Sequence, residues 1–350
     1  MNRLTRGKIA AVTLGLVGAW ALTALLSLRA GSVTITFETA TRLLWNLSTR
    51  GGDLSSPEEA ILLSVRLPRI LLASIVGSAL ALAGAAFQSL LRNSLADPYV
   101  LGVSTGASLG TIGYSVLVVS AGVPIAGTAY IYGRPLAAFA GAALTVGAVY
   151  LIAGRSESTG EGSQRLLLAG IVLASFLSSI NVFLLTGTNQ ADLRGIFYWL
   201  IGDLSRPVDA SLYAVSVAVF AGAVALYGLS HPLNLISLGE LDALALGVEV
   251  RRVKTAAYVI GSLMTGAVVS VSGPIAYVGL ICPHLVRMLF GHDNRLLFPA
   301  VFVFGAVFTV AADTVARTVI APAELPVGVV TALCGAPLFV YLLHRKGVVR

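Results

Sequence analysis

Residues Gly77–Ala107 read GSALALAGAAFQSLLRNSLADPYVLGVSTGA. An uncharged run of small and apolar residues reaches Leu91, a short polar turn follows from Arg92 to Asp97-Pro98, and a second uncharged run begins. A helix crossing the roughly 30 Å hydrocarbon core needs about 20 mostly apolar residues at 1.5 Å of rise each. Extended outward, both runs reach that length, as spans over 70–91 and 99–119. Gly77, Ala79, Ala81, Ala83 and Gly84 in the first, with Gly102, Gly106, Gly110 and Gly113 in the second, allow helix backbones to approach closely. Membrane bundles pack in this way. The stretch therefore decides the fold class: an all-α polytopic membrane protein.

The same ruler gives eight further spans, near 9–28, 135–154, 166–187, 210–229, 255–272, 275–290, 296–316 and 326–343. The 350 residues then form a single transmembrane domain, 1–350, of about ten helices. The run 255–290 is split at Ser272-Gly273-Pro274, because Pro lacks an N–H and clashes in a helix interior. Met1–Lys8 and the run after it resemble a signal peptide. However, Ile9–Leu28 is longer than the about 7–15 residues of such a core, and it reads as a retained first span.

Composition agrees. Hydrophobic residues make up 57% and charged residues 11%, with a mean hydropathy of +0.89, whereas a soluble domain carries roughly 25% charge. This excludes a secreted, disordered or nucleic-acid-binding domain and makes the lipid bilayer the first partner. The net charge of +7 is then a matter of topology. Ten spans put both termini on one side. With that side cytoplasmic, fourteen of the 23 basic residues, including all three lysines, fall inside. The reading is a multi-pass protein of the cytoplasmic (inner) membrane with both termini cytoplasmic. Nine arginines remain outside: Arg29, Arg42, Arg50, Arg66, Arg69, Arg134, Arg194, Arg206 and Arg317. Of the outer loops, Phe37–Leu47 is amphipathic, and Leu193–Leu204, with Phe197, Tyr198 and Trp199, reads as a helix lying at the interface.

Enzymatic chemistry is missing. The sequence has no GxxxxGK[ST] phosphate loop and no nucleophile–base constellation. His231, His284, His292 and His344 lack zinc-ligand spacing, and Cys282 and Cys334 sit in apolar runs as small core residues. No catalytic residue, metal site or cofactor is expected in this chain. Ion-coupled carriers keep ionisable groups at mid-membrane, and here the middles of the spans are almost free of charge, with Asp313 and Arg317 four apart near one end. An externally powered permease is favoured, and an ion-coupled secondary transporter working without an ATPase is the alternative. Leu233–Val250 is more apolar than an exposed loop should be, and Gly239 and Gly247 can end two short helices within it. An apolar face in the cytosol needs a protein to cover it.

Seven segments carry a family resemblance. They are RLPR (66–69), the 77–107 stretch, RLLLAG (165–170), DLRGIFYWLIG (192–202), LNLISLGELDALALG (233–247), GPIAYVGLICPHLVRMLFGHDNR (273–295) and ELPVGVVTALCGAPLFVYLL (324–343). In this order they resemble the FecCD-type permeases of ABC importers for iron complexes, heme and cobalamin. The resemblance implies a type II ABC importer permease-like bundle working as a homodimer, or less often a heterodimer, with a second permease copy. ABC ATPase subunits would bind below, carrying ATP and Mg, and an extracytoplasmic substrate-binding protein would dock outside. It implies that Ser237, Leu238, Gly239, Glu240, Ala243, Leu246 and Gly247 belong to paired ATPase-coupling helices. Arg66, Arg69 and Arg317 match arginines that pair with glutamates of the binding protein. Asn93 and Leu95, with Ser163 and Gln164, match the cytoplasmic gate, and Leu173–Phe183, with Ser175, Ser178 and Asn181, would face the pathway. Ser94 departs from the family pattern, where Pro is usual, so the gate loop loses a φ restraint. A ferric siderophore is the favoured cargo, with cobalamin and heme as the others.

Overall fold

The computed structural model describes residues 5–31, 57–122, 128–153, 161–187, 190–205 and 210–344, and among these the regular structure is helical throughout. The amphipathic stretch Phe37–Leu47 lies outside the described residues. In chain order the helices are α1 (Arg6–Arg29), α2 (Leu67–Leu90), α3 (Val103–Ser120), α4 (Thr128–Ala153), α5 (Glu161–Thr186), α6 (Gln190–Ile201) and α7 (Ala210–Gly228). There follow α8 (Ser230–Leu238), α9 (Glu240–Ala245), α10 (Val250–Ser272), α11 (Val278–Phe290), α12 (Asn294–Thr318) and α13 (Val327–His344). A helical lead-in, Pro57–Ile61 and the π-helical turn Leu62–Arg66, precedes α2. The end of the bundle where α1 begins is the proximal end, and the opposite one is distal.

Each of the ten expected spans is a helix. Eight are long and apolar enough to cross a membrane: α1, α2 with its lead-in, α3, α4, α5, α7, α10 and α12. The other two, α11 and α13, are shorter apolar helices. Thirteen residues carry α11 only about 20 Å. Its start explains the length, for a Cβ at Gly84, far down α2, would lie 1.9 Å from the carbonyl oxygen of Gly279. Helix α11 thus begins inside the bundle rather than at its distal end.

Helix α2 is the axis. Apolar or small on every side, it is buried along most of its length from Arg69 to Leu90, as expected of a helix without a polar face. It runs antiparallel to α12. A Cβ on Gly77 would stand 2.2 Å from the Gly305 carbonyl oxygen, and one on Gly305 would stand 2.3 Å from that of Gly77. Two glycines face to face thus permit a backbone contact that any side chain would open. One turn lower, the Ser78 hydroxyl donates to the Phe302 carbonyl at 2.7 Å.

Several helices end or begin within the bundle, where backbone groups must find partners in the protein. The Asp203 N–H donates to the Ser272 carbonyl at 2.8 Å, and the Ile275 N–H donates to the Tyr99 hydroxyl at 3.0 Å. The aromatic helix α6 ends at this junction: a Cβ on Gly328 at the start of α13 would lie 1.9 Å from the Ile201 carbonyl oxygen. Ile196 and Trp199 of α6 are buried, while Phe197 and Tyr198 are exposed. The interface helix expected at Leu193–Leu204 is therefore half inserted, its C-terminal end serving as a plug.

Candidate functional site

The distal arginines come together, although they begin on separate helices. Arg66 ends the π-helical turn, Arg69 lies in the first turn of α2 and Arg317 in the last turn of α12. They are buried rather than open, at 4%, 6% and 6% exposure. Arg66 Nη1 donates to the carbonyls of Leu28 and Arg29 at 2.6 and 3.3 Å. Arg317 donates to the Ser27 hydroxyl at 2.7 Å and to the Ala30 carbonyl at 3.3 Å. Together they satisfy the last carbonyls of α1, where the helix dipole favours positive charge. Asp313, at 1% exposure, lies between Arg69 and Arg317. Its carboxylate is 2.9 Å from Arg69 Nη2 and 3.1 Å from Arg317 Nε. Arg69 Nη1 also reaches Glu324 at 2.7 Å, whose side chain is 46% exposed. Buried charges persist when paired and hydrogen-bonded; here they tie α1, α2, α12 and the segment before α13 into one unit.

At the proximal end, the loop after α2 is an ordered turn. The Leu95 N–H donates to Asn93 Oδ1 at 2.9 Å, and the Ala96 N–H donates to the Asn93 carbonyl at 3.1 Å. The side chain of Asn93 thus supplies the restraint that Ser94 does not. Asp97 caps the next turn, accepting from the Tyr99 N–H at 2.8 Å. Desolvation pushes its carboxyl up to about 6, outweighing that bond. Ser163 falls in the first turn of α5, its side chain outside what is described, and Gln164 is exposed. No hydrogen bond joins Gln164 to Asn93 or Leu95 among the described residues. Helix α5 instead meets the 98–101 turn at Gly170, where a Cβ would lie 2.6 Å from the Val100 carbonyl oxygen. Ser175 and Ser178 are exposed, whereas Asn181 turns inward and donates to the Thr105 carbonyl at 3.2 Å.

The segment 233–247 folds as the expected pair of short helices, α8 and α9. Gly247 takes φ +83°, the left-handed conformation that ends α9. Ile236, Ala243 and Val250 close a small core between the helices. Leu238, Leu241, Leu244 and Leu246 stay out of it, at 74%, 69%, 49% and 66% exposure. Ser237 is exposed, and Glu240 is ion-paired with Lys254 at the start of α10. The sequence assignments here thus divide into two faces: Ala243 holds the pair together, and Leu238 and Leu246 are presented outward.

A polar chain that sequence reasoning missed fastens α8 to the long helices. Asn234 Nδ2 donates to Asp293 Oδ1 at 2.7 Å, and the Asn294 N–H donates to Asn234 Oδ1 at 2.9 Å. The Ser89 hydroxyl, at the foot of α2, donates to Asn294 Oδ1 at 3.1 Å. Hydrogen bonds from Arg295 first, then from Asn234, hold the Asp293 carboxyl down at about 2. The one available signal was the Asp-Asn-Arg run at 293–295, an N-cap ahead of an apolar helix.

Among the described residues no cluster of three His, Cys, Asp or Glu is placed to hold a metal. The chain as a whole is similar to known transport proteins. The FecCD transport family model covers residues 19–345. The cobalamin import system permease BtuC of Halobacterium salinarum is 39% identical over 294 residues, 83% of this chain and 76% of that protein. The hemin transport system permease HmuU of Yersinia pestis is 36% identical over 324 residues, 92% of each chain. A solved metal-chelate type ABC transporter in an inward-facing conformation superposes with a TM-score of 0.80 at 30% identity, covering 96% of this chain and 99% of its own. This chain belongs to the FecCD transport family and is the multi-pass membrane permease subunit of an ABC importer.

Proposed function

We propose that this permease moves a bulky metal chelate, with a ferric siderophore favoured and cobalamin or heme as the other cargoes, into the cytoplasm. The relatives named for cobalamin and hemin and the metal-chelate transporter of like fold support that class. Two ATPase subunits supply the energy and carry the ATP and Mg, and the permease itself performs no chemistry. It works as a homodimer in the cytoplasmic (inner) membrane with both termini cytoplasmic, which the excess of basic residues at the proximal end supports.

The observation that carries the reading is the row of exposed leucines on α8 and α9. Leu238, Leu241, Leu244 and Leu246 lie outside the long spans and are available to a protein cleft. Ser237, Gly239, Glu240 and Gly247 shape that contact, and the Asn234–Asp293–Asn294–Ser89 chain carries its movement to α12 and α2. Asn93, Leu95, Ser163 and Gln164 form the cytoplasmic gate. A substrate-binding protein docks at the distal end. There Arg66, Arg69 and Arg317 frame the docking surface from beneath, with Glu324 as its exposed charge.

Reconstitution in proteoliposomes tests this. Uptake of a ferric siderophore that requires the ATPase, the cognate binding protein and ATP is the expected result. Uptake driven by an ion gradient without an ATPase would establish the secondary carrier instead.

A further inference from the structure

A groove opens on the side of the bundle between α1, α7 and α12, apart from the α8–α9 pair and the distal arginines. Its volume is about 260 Å³ and its lining is almost wholly apolar. Leu82 of α2 and Phe298 of α12 form a buried floor, and Phe220 and Phe302 pack with ring centroids 5.6 Å apart. The outer wall includes Val224 and Tyr227 of α7, at 74% and 46% exposure, so the groove faces the surroundings of the spans rather than a closed interior. A polar atom interrupts it: Thr13 Oγ1 of α1 is buried and has no hydrogen-bond partner among the described residues.

The proximal mouth of the groove is basic. Arg6 is exposed and precedes Thr13 by seven residues, close to two turns, and so lies on the same face of α1 about 10 Å nearer the helix start. By the same rule Arg295 lies on the face of α12 that carries Pro299 and Phe302. Its side chain is 47% exposed. Arg295 uses Nε and Nη2 on Asp293, which leaves the Nη1 donors uncommitted among the described residues.

We propose that this groove seats one acyl chain of an anionic membrane phospholipid, with its phosphate between Arg6 and Arg295. The charge pattern selects this occupant. An apolar trough at the depth of the spans takes a hydrocarbon chain, while the charge of Arg6 and the remaining Nη1 donors of Arg295, whose Nε and Nη2 hold Asp293, attract an anion at the headgroup level. A seated lipid would wedge α1 and α7 against α12 in the leaflet on the proximal side.

Native mass spectrometry of the purified full chain, with phosphatidylglycerol or phosphatidylcholine added in equal amounts, tests the proposal. The wild-type chain is expected to retain one phosphatidylglycerol about tenfold more strongly than phosphatidylcholine, a difference of about 1.4 kcal/mol. Ala223→Leu and Ala223→Phe fill the trough by degrees and should remove retention of both lipids in that order. Arg6→Gln with Arg295→Gln should keep retention and lose the preference. Leu144→Phe, on the open face of α4, should change nothing. Equal retention by the wild type and both Ala223 variants would overturn the site. So would a lipid-free wild-type dimer whose association the Ala223 variants abolish, since the groove would then be covered by a second copy of the chain.

Discussion

Asp313 shows how a single carboxylate organises the distal end. Between Arg69 and Arg317 it sets one negative charge against two guanidiniums buried side by side. Asp313→Asn leaves Arg317 without its carboxylate and Arg69 with Glu324 alone, and removing one partner of a buried ion pair costs about 3–5 kcal/mol. The expected outcome is a large fall in thermal midpoint in detergent, with Glu324→Gln, at the exposed edge of the same network, costing far less. The motif match placed Arg66, Arg69 and Arg317 at one end of the molecule, but it could not show that their charge is already spent on α1 and Asp313. Sequence neighbours do not reveal a partner 244 residues away. Asp97 makes the opposite case. Its folded carboxyl sits near 6, above its ordinary value of 3.8, so the folded chain holds more protons between those values and stability falls as pH rises through that window. Asp97→Asn keeps an acceptor for the Tyr99 N–H. It should flatten the melting temperature between pH 4 and 6 and raise it by a few degrees at pH 7.

The loops and short helices behave as units. In the turn 93–96, Ser94 occupies the second position, where Pro is favoured, and its N–H donates to no group among the described residues. Ser94→Pro should therefore stabilise the loop by about 0.4–1 kcal/mol by restricting the unfolded chain. A fall in thermal midpoint would show that the loop needs a different φ. The α8–α9 pair makes the strongest element-scale prediction. Leu241→Glu places a charge on the exposed leucine row and should cost about 2 kcal/mol of ATPase association in a pull-down, leaving the melting curve unchanged. Ala243→Glu, inside the small core of the pair, should lower both. The pair was legible before the structure because apolar residues between two glycines in a cytosolic segment call for cover. Which leucines point outward was not, since helices of nine and six residues are too short for their periodicity to settle a face.

Across the whole molecule, the helices form a bundle around α2 with a polar fastening at each end. The proximal fastening links α8 to α12 and α2 through Asn234, so Asn234→Leu should leave ATPase binding intact and reduce ATP-driven uptake severalfold. Equal loss of binding and uptake would make the residue merely structural. The sequence by itself determined the class and the order of the long apolar helices, because a run of about twenty uncharged residues has few other stable fates next to a bilayer. It also singled out the apolar pair of short helices between the seventh and tenth helices, which stands out as a departure from that pattern. Only the tertiary structure decided that α11 starts deep inside the bundle, that α6 plugs the junction, and that the distal arginines are buried. These outcomes depend on distance between helices remote in the chain. Backbone contacts such as Gly77 with Gly305 and Gly84 with Gly279 set that distance, and a hydropathy ruler measures length along the chain but not approach across it.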